Sequence, residues 1–287
     1  MKKSHWSVYL AVIVIVAAGV YIFTRKTAVA PVTPPANNGN SKPPVAEQPF
    51  KDLIRVVSPA TGETVGSPLV VSGIARGSWY FEASFPVRLL DAAGKVLAEA
   101  PAAAQGGWMT ENFVPFVVTL DLDASSVKEG KLILANDNPS GLPENDKSIE
   151  LPLKFAAAKT GVKVFFGRPV EGDMETECEH VVAVGRTIDK TEAVARAALL
   201  ELFNGPTAME KEFGYITSIN PGVVIQKLTI ENKVAKVDLS KELERAVGGS
   251  CRVAAIAAQI RETLKQFPTV ESVVISIDGR TEDILQP

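Results

Sequence analysis

The chain has 287 residues, enough for a membrane segment and two domains of ordinary size. Its net charge of −3 gives no basic footprint for nucleic acid. The 2 Cys and 2 His are too few for a multi-ligand zinc centre or a disulfide-dense miniprotein. No G-x-S-x-G, H-E-x-x-H or phosphate-binding glycine loop occurs, so neither an enzyme activity nor a cofactor is expected.

The first element is an apolar run over residues 8–23, bounded by Val8 and Phe23, with no charge and no proline. With Trp6, Ser7 and Thr24 it reaches roughly the 18 residues that cross a bilayer as a helix, the form that satisfies its own backbone in lipid. Trp6, Tyr9 and Tyr21 lie toward its ends, where amphipathic rings favour the interface. Lys2 and Lys3 nearly balance Arg25 and Lys26, so flanking charge does not orient the segment. Ala28-Val29-Ala30 offers a rival reading as a cleaved signal peptide, but Pro31 fits poorly just after a cut. Residues 1–26 are therefore read as an uncleaved anchor.

Residues 27–50 form a linker. Pro31, Pro34, Pro35, Pro43, Pro44 and Pro49 alternate with Asn, Gly and Ser, a composition that buries no core and favours a semi-stiff spacer. Residues 51–157 read as all-β. Short apolar or alternating runs at 54–57, 69–72, 87–91, 96–100, 113–122, 132–135 and 149–155 are separated by turn signals. Seven short strands in about 100 residues predict an immunoglobulin-like sandwich.

Residues 161–287 change to an α+β pattern. Strands are expected at 162–166 and 181–186. A helix is expected over 192–203, capped by Asp189 or Thr191 and stopped by Gly205-Pro206. A hairpin is expected around Glu231-Asn232, and a second helix over 252–267 carries Val253, Ile256, Ala257, Ile260, Leu264 and Phe267 on one face. With a last strand at 273–277, this predicts two helices on one small sheet.

These strings carry two resemblances. Ser67-Pro68-Leu69, Ser72-Gly73-Ile74-Ala75, the run from Trp79 to Val87, Gly107-Trp108-Met109 and the run from Asn136 to Glu144 resemble Gmad2, the immunoglobulin-like domain of bacterial spore germination. Val164-Phe165-Phe166, Val184-Gly185-Arg186, the run from Ala198 to Pro206, Gly214-Tyr215-Ile216-Thr217, Val237-Asp238-Leu239-Ser240, Gly249-Ser250-Cys251 and Ile277-Asp278-Gly279 resemble the GerM (GerMN) domain of sporulation and germination proteins. The resemblance implies an extracytoplasmic domain similar to the ring-building folds of sporulation channel proteins.

Cys178 and Cys251 are the only cysteines. If the anchor exports the chain, the oxidising side favours their pairing, against the alternative of two separate thiols. Pairing would place the amino terminus inside and the domains on the extracytoplasmic side of a single-pass bacterial membrane protein. Cys178 and His180 would share a face of a strand, so a metal site or a thiolate–imidazole pair is the competing reading. Trp79, Tyr80, Phe81 and Glu82 with Trp108 are either core or an exposed partner-binding platform, such as one for peptidoglycan. Asp137, Asn138, Glu144, Asn145 and Asp146 make an oxygen-rich loop without EF-hand spacing. Arg186 is expected to pair with Asp238 or Asp278. The expected partners are the membrane, a second copy or an envelope protein, and no nucleic acid.

Overall fold

The computed structural model describes residues 49–169 and 178–286. Among them no helix is long and apolar enough to cross a membrane, and the anchor expected at 8–23 lies outside them. The first domain consists of β1 (Ile54–Ser58), β2 (Thr64–Val65), β3 (Leu69–Arg76), β4 (Ser84–Asp91), β5 (Val96–Ala104), β6 (Phe113–Leu120), β7 (Glu129–Ala135) and β8 (Ser148–Phe155). The strands run in the order β1-β3-β6-β5-β4-β7-β8-β2. β1, β3 and β6 make one layer, and β4, β7 and β8 the other. β5 follows β4 for most of its length. At its end Ala103 and Ala104 pair with Val117 and Phe116 of β6, which joins the two layers into one sheet folded around a core.

Sequence period explains the layers. In β8, Ile149, Leu151, Leu153 and Phe155 point inward, while Ser148, Glu150, Pro152 and Lys154 face out. Phe85 packs edge-on against Tyr80 and Phe116, with ring centroids 5.2 and 5.0 Å apart. All seven expected strands form. The two-residue β2, parallel to β8, is too short to show a period. β3 departs from alternation: Leu69 to Ala75 are all buried, so both of its faces are covered.

The second domain consists of β9 (Lys159–Gly167), β10 (Val181–Asp189), α1 (Val194–Phe203), α2 (Ala208–Glu212), β11 (Ile225–Glu231), β12 (Val234–Leu239), α3 (Ser250–Lys265) and β13 (Ser272–Ile277). It is α+β, but its strands divide between two sheets rather than forming one. β9 and β10 make an antiparallel ribbon, and β11-β12-β13 make a separate sheet in which α3 crosses from β12 to the parallel β13. α3 packs on β9, β10, β13 and α1. Its buried face holds Ile256, Ala257, Ile260 and Leu264, and also the polar Gln259 and Thr263. The hairpin turn falls at Asn232 and Lys233 (φ 51° and 62°), one residue beyond the expected position. α1 begins at Val194, two residues late; its N-cap Ala193 has no side-chain cap, and Thr191 accepts the Ala193 amide instead.

Arg186 does not pair with Asp238 or Asp278. It forms a fork to Glu210, with Nη1–Oε1 2.6 Å and Nη2–Oε2 2.7 Å. Asp238 is engaged by the Ser276 hydroxyl and the Gly279 amide, and Asp278 by Gln226. Glu210 is 1% exposed and also closes the capping box of α2 with Thr207. A buried carboxylate with these partners tolerates loss of the arginine poorly, because the remaining charge is left unpaired. Replacing Arg186 by Met is expected to cost about 3–5 kcal/mol in denaturant unfolding. The double variant Arg186→Met/Glu210→Leu should recover a large part of that loss.

Candidate functional site at the domain seam

Only residues 156–158 separate β8 from β9, and the turn closes with Lys159 N–H donating to Ala156 O at 3.0 Å. The β9–β10 ribbon therefore starts against the sandwich and lies on the outer face of β3. The described residues past the linker pack as one compact unit.

The contact joins backbone groups to one another and to short polar side chains. Gly161 N–H donates to Pro68 O at 2.7 Å, the Thr160 hydroxyl donates to Ser67 O, and Gly185 N–H donates to the buried Ser72 hydroxyl oxygen at 2.9 Å. Two glycines permit this approach: a Cβ on Gly161 would stand 2.6 Å from Pro68 O, and one on Gly185 2.7 Å from Val70 O. Gln105, in the β5–β6 loop, uses its amide as a short strand, accepting from Ala183 N–H at 2.7 Å and donating to Ala183 O at 3.0 Å. The Arg55 guanidinium lies 5.1 Å from the Phe113 ring of the first domain and 5.5 Å from the Phe213 ring of the second.

Tyr80 and Tyr215 are buried near this junction. Tyr80 donates its hydroxyl to Val114 O at 2.9 Å, whereas the Tyr215 hydroxyl has no hydrogen-bond partner among the described residues. Burial pushes both phenols above their ordinary pKa, with Tyr215 adding to the rise at Tyr80 and Arg168 opposing it at both. Beside the tyrosines a cleft of about 860 Å³ opens between the domains, lined by Arg76, Gln105, Phe113, Arg168, His180 and Val182 among others.

The disulfide forms. Cys178 and Cys251, 73 residues apart in sequence, have Cα atoms 5.0 Å apart, tying the approach to β10 to the first turn of α3. Both sulfurs are spent in the bond, so Cys178 offers no thiolate to His180 for the metal or nucleophile alternatives. Among the described residues no group of three or more His, Cys, Asp or Glu gathers as a metal set.

The aromatic platform does not form as drawn. Trp79 and Tyr80 are 1% and 4% exposed and belong to the first core, and Trp108 packs partly buried against it. A stacking surface needs free ring faces, which these residues lack. Phe81, 40% exposed, and Glu82 do reach solvent, because Glu82 and Ala83 form a tight turn with φ of 49° and 61° between Phe81 and Ser84. In the oxygen-rich loop, Asn138 is occupied by Ser140, Leu142 and Asp146, so its oxygens brace the turn.

Residues 53–141 match the family model Gmad2, described as an immunoglobulin-like domain of bacterial spore germination. Residues 163–283 match Germane, described as sporulation and spore germination. The chain carries a Gmad2 domain followed by a Germane domain. Among solved structures it is similar to the tandem GerMN domains of the sporulation protein GerM from Bacillus subtilis, at 22% identity and a TM-score of 0.36 over 43% of this chain and 40% of that one. It is also similar to the first GerMN domain of the same protein, at 19% identity and a TM-score of 0.33, over 42% of this chain and 84% of that one. No curated protein matches the chain.

Sequence reasoning missed the seam itself: Ser72, Gln105, Gly161 and Arg168 were not singled out for it. The available signal was in β3, where consecutive apolar residues, Leu69-Val70-Val71 and Ile74-Ala75, replace a strict alternation. Three outcomes are expected. Gly185→Val should destabilise the protein by about 1–3 kcal/mol through overpacking and speed hydrogen exchange at Gly161 and Ala183. Reduction should add two hydrogens to the intact mass and lower stability by up to about 4 kcal/mol, the loop-entropy value for this interval. The folded protein holds the protons of Tyr80 and Tyr215 more tightly than the unfolded chain, whose tyrosines ionise near pH 10. That contribution is complete below about pH 10 and is lost as pH rises beyond it. Tyrosinate absorbance from these two should appear only together with loss of folded circular dichroism.

Proposed function

We propose that this is a non-catalytic, membrane-anchored protein of the bacterial cell envelope. In this reading its Gmad2–Germane pair acts outside the cytoplasmic membrane as one rigid interaction unit, assembling with itself or with an envelope partner near the peptidoglycan. The observation that carries the reading is the Cys178–Cys251 bond, because such bonds persist in oxidising compartments. The apolar run at 8–23 and the proline-rich spacer after it support the same placement. The seam supports rigidity: two domains joined through directional hydrogen bonds present one fixed surface to a partner.

A second reading, recognition of wall glycan or peptide, is favoured by one feature. The β3–β4, β5–β6 and β7–β8 loops meet at one end of the sandwich, where Asp137 N–H donates to Trp79 O. They carry the exposed Phe81, Met109 and Leu142.

Ala93→Cys, in the exposed β4–β5 turn, tests the compartment. Labelling by a membrane-impermeant maleimide in intact cells is expected; labelling only after lysis would overturn it. Light scattering of the full chain in detergent should show a multimer beyond the micelle. A strict monomer that sediments with purified wall, and loses that retention on Phe81→Ser, would favour the second reading.

A further inference from the structure

We infer that the cleft at the domain seam binds an oxyanion, a carboxylate or phosphate group, carried on a small molecule with an apolar body. Its described lining contains Arg76, Arg168 and His180 and no carboxylate. Among the described residues the arginines are held by carbonyl oxygens and meet no carboxylate. Arg76 donates from Nε to Asp52 O at 2.7 Å and from Nη1 to Glu111 O at 2.5 Å, and its guanidinium lies 4.6 Å from the Phe113 ring. Arg168 donates from Nε to Phe213 O at 3.0 Å and from Nη2 to Phe113 O at 3.3 Å. Carbonyl oxygens satisfy N–H groups but leave the full positive charge, which a guanidinium cannot shed.

Among the described residues, Arg88, Arg186 and Arg280 each face a carboxylate, whereas Arg76 and Arg168 do not. Among the described residues no partner meets one terminal nitrogen of each: Nη2 of Arg76 and Nη1 of Arg168. The backbone N–H groups of Gly106 and Gly107 on the same rim also have no partner among the described residues. Because carbonyls already fix the guanidinium groups, a ligand would spend little entropy ordering them. Charge-assisted hydrogen bonds from a fixed donor set are the strong kind.

The rest of the lining sets the body of the ligand. Val114, Pro115, Pro169 and Val182 give an apolar wall. The volume of about 860 Å³ lies in the range of small-molecule sites. A bare inorganic ion would leave that wall uncovered.

Calorimetric titration of the full chain in detergent, at low salt, tests this with phenyl phosphate, benzoate, inorganic phosphate and neutral benzyl alcohol. Saturable binding of phenyl phosphate or benzoate is expected, with inorganic phosphate weaker, benzyl alcohol silent and affinity falling as salt rises. Which of the two aromatic anions binds assigns the group as phosphate or carboxylate. Arg76→Gln and Arg168→Gln should each weaken binding about tenfold or more. Arg168→Lys should fall between, and Arg88→Gln should leave binding unchanged. Thermal melts separate loss of a contact from loss of fold, and the anion-against-neutral comparison needs no variant. Binding of neither aromatic anion would overturn the inference, as would binding equal in the arginine variants. So would binding that appears only after Glu171, Asp173, Glu175 and Glu177 are changed to amides, which would assign the charge of the cleft to the chain's own carboxylates.

Discussion

β3 is covered on both faces, and much of the architecture follows from that. Its inner side chains enter the sandwich core, while the backbone and side chains around Val70 and Ser72 receive the β9–β10 ribbon. Burying the outer face of a strand removes its polar groups from water, so each needs a partner from the covering element. Ser72 finds the Gly185 amide, and Ala183 finds the side chain of Gln105. Hydrogen bonds of this kind are directional. They set the relative placement of the domains more narrowly than an apolar contact of the same size would, because an apolar contact tolerates sliding.

The same ribbon links the seam to the rest of the second domain. α3 packs on β9 and β10, and the disulfide holds the start of α3 to the chain just before β10. The Arg186–Glu210 fork ties β10 to α2. Three different interactions thus converge on one two-stranded element, which is short for independent stability and depends on its cover.

The cleft is a by-product of joining the two domains. Arg76 and Arg168 come from opposite sides of it and anchor on four carbonyls from three segments. Neither domain alone would assemble that donor set.

Much of this was legible beforehand. The alternation in β8 and the helical period of α3 declared their elements, because each has one buried face and burial imposes a period. The Cys178–Cys251 pairing followed from scarcity and from the export expected of the chain. Other readings stayed open or failed for identifiable reasons. Trp79 and Tyr80 look the same in sequence whether they face solvent or core. Arg186 chose Glu210 over Asp238 and Asp278 because the fold, and not proximity in sequence, decides which carboxylate is buried beside it. By itself the sequence determined the elements, the two domains, their family resemblances and the disulfide, all of which rest on local period, composition and motif. Only the tertiary structure decided the seam, the split of the second domain into two sheets and the cationic cleft. These depend on which surfaces meet, and a contact between residues about a hundred positions apart, such as Ser72 with Gly185, leaves no local period to read.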